Sequence, residues 1–386
     1  MFLNNYEFAE KLVGPEKPVK SVSVYRAAHN RDLFLAYAQF GHCCHQVASA
    51  VGYDYGETRM KAIVEAYERY VSTHTPAHAF TARASSLEVT YLSPETFLPL
   101  SDSQKASVGL RKFDRARKYV WVSGCDLASN VEVVIPADAV YYDLNIPRNR
   151  LAFSNSSGIA AHTDFDVALR KAVEELVERD ALMRFWVYRE AKPVHNVAVV
   201  EASRRNLWTL GRDMNVYQLP SEFGEVYLAA IRGDAWPFFV SGAAATVSGD
   251  SLEAISHAVA EAEGNLVAYS NCEHKELNPE EVWTPSDHGL FYCQKEHADL
   301  LKLSTVDEVE THSWPDEEKL EALYNALSLK YVQLDGPESD IFVVRAFSRW
   351  LVPITFGTRL FPKEHIAFTP NRGLVKSRMS NPHFFA

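Results

Sequence analysis

Residues 156–181, SSGIAAHTDFDVALRKAVEELVERDA, carry the reading that decides the fold. From about Asp164 to Tyr188, Phe165, Ala168, Leu169, Ala172, Val173, Leu176 and Val177 recur at helical spacing. That periodicity predicts a long helix with one buried stripe, and Thr163 is its expected N-cap. Embedded in the stripe is a Glu-x-x-Glu-Arg pattern: Glu175, Glu178 and Arg179. Residues three and four apart share a helix face, so both carboxylates and the guanidinium are expected to project together.

The pattern returns in GYDYGETRMKAIVEAYERY, residues 52–70, as Glu65, Glu68 and Arg69. This segment predicts a first helix from about Glu57 to Ser72, with Ile63, Ala66, Tyr67 and Tyr70 on its apolar side. A third helix is expected from about Ser251 to Tyr269, capped by its Ser, with Glu261 four residues after His257. One Glu–Arg pair at this spacing is an ordinary surface ion pair worth tenths of a kcal/mol. Two copies set in apolar helix faces point instead to a functional acidic cluster. Neighbouring carboxylates repel unless a cation lies between them or one keeps its proton. Mg²⁺ takes oxygen ligands from one or two carboxylates, with water and phosphate oxygens, so paired helices of this kind suit a metal-bound triphosphate. A zinc site on His257 and Glu261 lacks an identifiable third ligand.

Between the helices, Tyr119–Ser123, Val131–Ile135, Val226–Ile231, Phe238–Ser241 and Ile341–Phe347 read as strands, and a first strand is expected near Val22–Val24. The order lacks a regular βαβ beat, so an α+β layered fold in one domain over 1–386 is expected, with seams near 145–150 and 278–288. The chain has 386 residues, 47% hydrophobic and 23% charged, as in a globular protein. Its net charge of −11 argues against a broad nucleic-acid-binding face. No signal segment or membrane span is apparent, and five scattered cysteines suit reduced thiols, so a cytoplasmic location is expected.

Other motifs are weaker. Gly41-His42-Cys43-Cys44-His45 lacks metal-ligand spacing, and Cys272 with His274 sits in one loop, where two side chains seldom meet. Trp186, Trp208, Trp236 and Trp283 read as core or interface anchors. No Walker-type phosphate loop is present, so any ATP use falls to the acidic helices.

Taken together, the two Glu-x-x-Glu-Arg blocks and SLEAISHAVAEAEGN, residues 251–265, resemble the three helical blocks of the YcaO family. The resemblance implies an α+β fold holding ATP and Mg²⁺ between acidic helices, and phosphorylation of a backbone amide oxygen during nucleophilic attack on the amide carbon. By position it makes Glu65, Glu68, Glu175 and Glu178 metal and nucleotide ligands, sets Arg69 and Arg179 at the phosphates, and gives Glu261 the third-block carboxylate position. The tail SNPHFFA resembles the proline-rich C-terminus of azoline-forming members, which implies a base at Ala386 assisted by a turn at Pro382. The sequence departs from the family at Lys61 (Ser), His257 (Arg), Ala160, Thr163, Val167 and Lys171 (Ser, Asn, Glu, Gln). Lys61 and Lys171 can bring charge to phosphates, whereas Val167 removes a carboxylate.

The function implied is a cyclodehydratase forming thiazoline or oxazoline rings from Cys, Ser or Thr of a ribosomal precursor peptide, as in bacteriocin biosynthesis. Thioamide formation and a non-catalytic scaffold of the same fold are the alternatives. The short stretch before the first strand implies a separate E1-like (ThiF-like) partner that captures the leader peptide. The resemblance adds a flavin dehydrogenase in the same complex, and a homodimer.

Overall fold

The computed structural model describes residues 4–41, 46–74, 78–142, 150–153, 155–298, 304–338, 340–378 and 380–385. Its α+β architecture, as expected, is three sheets with helices packed between them. Val19–Arg26, Phe34–Phe40 and Val47–Gly52 form an antiparallel three-stranded sheet in chain order. A seven-stranded sheet runs in the order Thr90–Tyr91, Val131–Pro136, Lys118–Asp126, Lys330–Leu334, Phe342–Phe347, Ile159–His162, with Phe80–Arg83 also paired to Lys118–Asp126. A five-stranded sheet has Phe239–Thr246, Glu225–Gly233, Arg212–Leu219, Glu190–Pro193 and Ser304–Thr305 in that order.

Each acidic helix lies against a different combination of sheets. The first, Tyr55–Ser72, covers the three-stranded sheet and buries Ala62, Ile63, Ala66 and Tyr67 completely. The second, Phe165–Tyr188, packs on Phe342–Phe347 and Ile159–His162 on one side and Phe239–Thr246 on the other, so it spans both larger sheets. Its buried Leu169, Val173, Val177 and Leu182 belong to the largest apolar cluster. Burying such a side chain contributes about 1.5–3 kcal/mol. The third, Ser251–Ser270, lies on Phe239–Thr246 and Glu225–Gly233. The approach is tightest at Gly242, where a Cβ would stand 2.4 Å from the Ala262 nitrogen.

The first helix begins two residues before the expected Glu57, and the caps of the other two differ by one residue from the sequence reading. Asp164, not Thr163, caps the second helix, accepting from the backbone N–H groups of Asp166 and Val167. Asp250, not Ser251, caps the third, accepting from Glu253 N–H, while the Ser251 hydroxyl donates to Glu225. An ionised cap also complements the positive end of the helix, which a hydroxyl does not. Trp208 is 80% exposed, which removes the core half of its reading as a core or interface anchor: its neighbour Leu207 turns inward instead. Among the described residues no helix is long and apolar enough to cross a membrane.

The chain closes with a buried tail. Phe384 meets Phe185 and Trp186 of the second helix, along with Phe239 and Tyr292, and Phe385 is also buried.

Candidate active site

Each Glu-x-x-Glu-Arg block brings its charges to one side, as helical spacing requires. On the first helix an Arg69 nitrogen lies 2.9 Å from Glu65 Oε1. On the second, Arg179 lies 3.5 Å from Glu175 Oε1 and its Nε 3.6 Å from Glu178 Oε1. The other oxygen of Glu175 accepts from Gly158 N–H at 2.9 Å. Gly158 has φ +73°, and a Cβ there would meet the Leu176 side chain at 2.8 Å and the Ala346 carbonyl at 2.9 Å. Glycine in SSGIAA is therefore what lets the chain reach this carboxylate. On the third helix Glu261 Oε2 accepts from Ala243 N–H at 2.8 Å.

The helices bring these groups into one electrostatic neighbourhood. Burial pushes the Glu68 carboxyl well above its ordinary range, and Glu175 and Glu65 push the same way against Arg69 and Arg345. Glu178 is pushed up to about 8 by burial, then by Glu261, Glu175 and Glu174, with Arg179 opposing. Glu261 is raised by burial and by Glu65 and Glu175, with its Ala243 hydrogen bond and Arg179 opposing. The carboxylates stand in a crevice rather than a sealed core: the side chains of Glu65, Glu175 and Glu178 keep 35%, 23% and 16% of their surface accessible.

Arg345, which the sequence reading passed over, enters from the strand Phe342–Phe347. It donates to the Val140 carbonyl at 2.8 Å, and burial holds it down to about 10. A lone arginine on the inward face of the apolar run IFVVRAF was the available signal. The buried Nε atoms of Arg345 and Arg179 have no hydrogen-bond acceptor among the described residues. Both arginines line a cavity of about 80 Å³ that includes Ser157, Leu176 and Thr355.

At the rim, Lys61 Nζ sits 2.7 Å from Glu57 Oε1 and 3.1 Å from His257 Nε2. Lys171 is exposed and makes no ion pair among the described residues. His257 and Glu261 bond elsewhere, to Lys61 and Ala243, and form no joint metal pair. Val167, in the first turn of the second helix, is half-buried, while Ala160 pairs with Val344 inside the seven-stranded sheet.

The tail comes close enough for Arg179 to help hold His383 well below its ordinary range, after burial and His288. Pro382 accepts from the Tyr292 hydroxyl at 2.7 Å. His383 Nε2 lies 2.8 Å from the Thr355 carbonyl, and His288 Nδ1 lies 2.7 Å from the His383 carbonyl. Ala386 and the His42–His45 motif lie outside the described residues.

Among the described residues no three acidic or imidazole side chains stand together at ion-holding distance. The four-glutamate grip expected from the sequence is not closed, because Glu65, Glu175 and Glu178 each lean on an arginine. The donor set nevertheless fits Mg²⁺ with phosphate. The carboxylates are all-oxygen ligands whose mutual repulsion a divalent cation relieves, and two guanidinium Nε–H groups have no hydrogen-bond acceptor among the described residues.

A family model described as YcaO cyclodehydratase, ATP- and Mg²⁺-binding, matches residues 49–347. An uncharacterised protein of Methanothermobacter thermautotrophicus is 25% identical over 187 residues, 46% of this chain. The chain spans under half the length of that curated relative, 45%. A heterocyclase solved with substrate and cofactor superposes with a TM-score of 0.78 at 17% identity, over 96% of this chain and 56% of that one. YcaO from Methanopyrus kandleri, bound with AMPPCP and Mg²⁺, gives 0.65 at 20% identity over 91% and 89%. The E. coli microcin synthetase McbBCD complex with pro-MccB17 bound gives 0.68 at 15% identity over 95% and 96%. At these identities the solved structures show a shared fold.

Proposed function

The chain belongs to the YcaO family, and from that premise we propose that it is an ATP- and Mg²⁺-dependent cyclodehydratase of a ribosomally made peptide. The observation that carries this reading is that Glu65, Glu68, Glu175, Glu178 and Glu261, from three helices, lie within electrostatic reach of one another and of Arg69, Arg179 and Arg345. Bound ATP supplies the phosphoryl group that turns an amide oxygen into a leaving group. Glu65, Glu68, Glu175 and Glu178 hold Mg²⁺, and Arg69 and Arg179 offset phosphate charge. Catalysis by such a site is mostly positioning and electrostatics.

The attacking side chain is a Cys, Ser or Thr of the peptide, and azoline rings result. The buried tail is fixed through Pro382 and His383, with His383 in electrostatic reach of Arg179, and we assign the base to Ala386 on the resemblance of SNPHFFA. The microcin synthetase neighbour is a multi-protein complex with a bound peptide, which supports a precursor substrate and partner proteins here. We assign an E1-like leader-binding protein and a flavin dehydrogenase to those partners, and a homodimer to this chain.

The test is incubation of protein, partner, precursor and MgATP, read by intact mass. Loss of one water mass per ring is expected, and an unchanged peptide with bound ATP overturns the reading. The apolar Val167, where the family pattern has a carboxylate, favours one second reading: a scaffold that keeps the fold without turnover. Calorimetry showing no MgATP binding while the partner complex still forms selects it.

A further inference from the structure

The cavity of about 80 Å³ that Arg179 and Arg345 line has no part in holding the nucleotide. It stands between two parts of the proposed site. On one side Leu176 and Arg179 belong to the second acidic helix, whose Glu175 and Glu178 are proposed metal ligands. On the other, Val352, Ile354 and Thr355 belong to the segment that holds the tail, the Thr355 carbonyl lying 2.8 Å from His383 Nε2.

The walls are mostly carbon, with Phe97, Leu98, Ala152, Phe347, Leu351 and Ile354 among them. Three polar atoms of lining residues break that pattern. Arg179 Nε, Arg345 Nε and Thr355 Oγ1 are buried and have no hydrogen-bond partner among the described residues. Each such orphan costs about 1–3 kcal/mol, so an occupant that brings acceptors is favoured. No described lining residue is a carboxylate. The charge of Arg179 is already met by Glu175 and Glu178, and that of Arg345 is offset by Glu175 and Glu68 while it donates to the Val140 carbonyl. What the cavity still needs is a neutral acceptor, not net negative charge.

We propose that this cavity seats the substrate residue preceding the cyclised Cys, Ser or Thr, its carbonyl oxygen accepting from the Arg179 and Arg345 Nε–H groups and its small aliphatic side chain lying against the carbon walls. This rests on the cyclodehydratase reading above. The carbonyl of that residue is the one attacked, so it has to stand between the phosphoryl donor and the base. The cavity lies between the helix assigned to the first and the tail assigned to the second. Its size sets the specificity. A cavity of about 150 Å³ takes a benzene ring. At about 80 Å³ this one admits the side chain of Ala or Val and turns away that of Phe.

The full-length protein carrying isotope-labelled arginine, titrated with acetyl-Xaa-Ser-N-methylamides and followed at its Nε–H signals by NMR, tests this without nucleotide or partner. Arg179→Lys and Arg345→Lys identify the two signals. Peptides with Ala or Val at Xaa are expected to shift both signals saturably, and the Phe peptide to bind at least about tenfold more weakly. Ala152→Leu, which fills the cavity, is expected to weaken the Val peptide about tenfold relative to the Gly peptide. Should that variant fail to fold, the wild-type ranking of Ala, Val and Phe decides alone. No saturable shift at either arginine, Phe bound as tightly as Val, an Asp peptide bound more tightly than Ala, or an unchanged Val-to-Gly ratio in folded Ala152→Leu overturns the proposal. Each of these leaves the cyclodehydratase reading standing, since that reading falls only if the precursor loses no water mass.

Discussion

At Glu178, burial and three neighbouring carboxylates raise ionisation from the ordinary 4.5 to about 8. The folded state holds this proton more tightly than the unfolded chain, so the contribution favours folding at low pH. It is lost as pH climbs from about 4.5 through 8. Glu178→Gln is expected to stabilise the nucleotide-free protein at pH 8 by about 1–3 kcal/mol, measured by urea unfolding, while abolishing Mg²⁺-dependent ATP binding. His288 gives the opposite slope. Its Nε2 accepts from Gly357 N–H at 2.9 Å and its Nδ1 faces the His383 carbonyl, so the ring is locked neutral and burial holds it down to about 4. Its contribution is complete above the ordinary 6.5 and is lost as pH falls toward 4. Unfolding followed between pH 7.5 and 4.5 should show that loss, and Trp186 fluorescence, beside the tail, should change with it. Asp180 is a third case: it accepts from Arg184 Nε at 2.9 Å and from Val352 N–H at 2.7 Å, almost sealed from water. Asp180→Ala strands both donors, and a loss of about 3 kcal/mol in denaturant unfolding is expected.

Among the elements, the three acidic helices were legible because their apolar residues recur at the helical period over several turns. Their caps were less legible, since Thr163 and Asp164 compete within one turn of chain and only the backbone path decides between them. Phe34–Phe40 and Val47–Gly52 escaped the reading for a packing reason. The first helix lies directly on them, so Ala36, Ala38 and Ala48 stand where β-branched residues ordinarily mark a strand. Within the site, the glutamates and arginines of the repeated pattern announced themselves by spacing. Arg345 did not, because it meets them only through a strand far along the chain. Gly158 joins strand, helix and site. Gly158→Ala strains a positive φ and collides with Leu176, so about 2–3 kcal/mol of stability should be lost. ATP affinity should weaken in the same variant through displacement of Glu175, as read by calorimetry.

Across the whole molecule, a ligand seated among three helices that rest on three sheets favours the folded state by mass action. MgATP at a hundred times its dissociation constant should add about 2.7 kcal/mol, seen as a rise in Tm that Glu65→Ala with Glu175→Ala removes. The second acidic helix matters most at this scale, since it touches both larger sheets while those sheets share no strand. It behaves as a beam socketed into two walls, and neither wall can tilt without carrying Glu175 and Glu178 along. Its central backbone amides should therefore exchange with deuterium only when the entire protein opens, more slowly than those of the helix Ala198–Trp208, which packs chiefly on Arg212–Leu219.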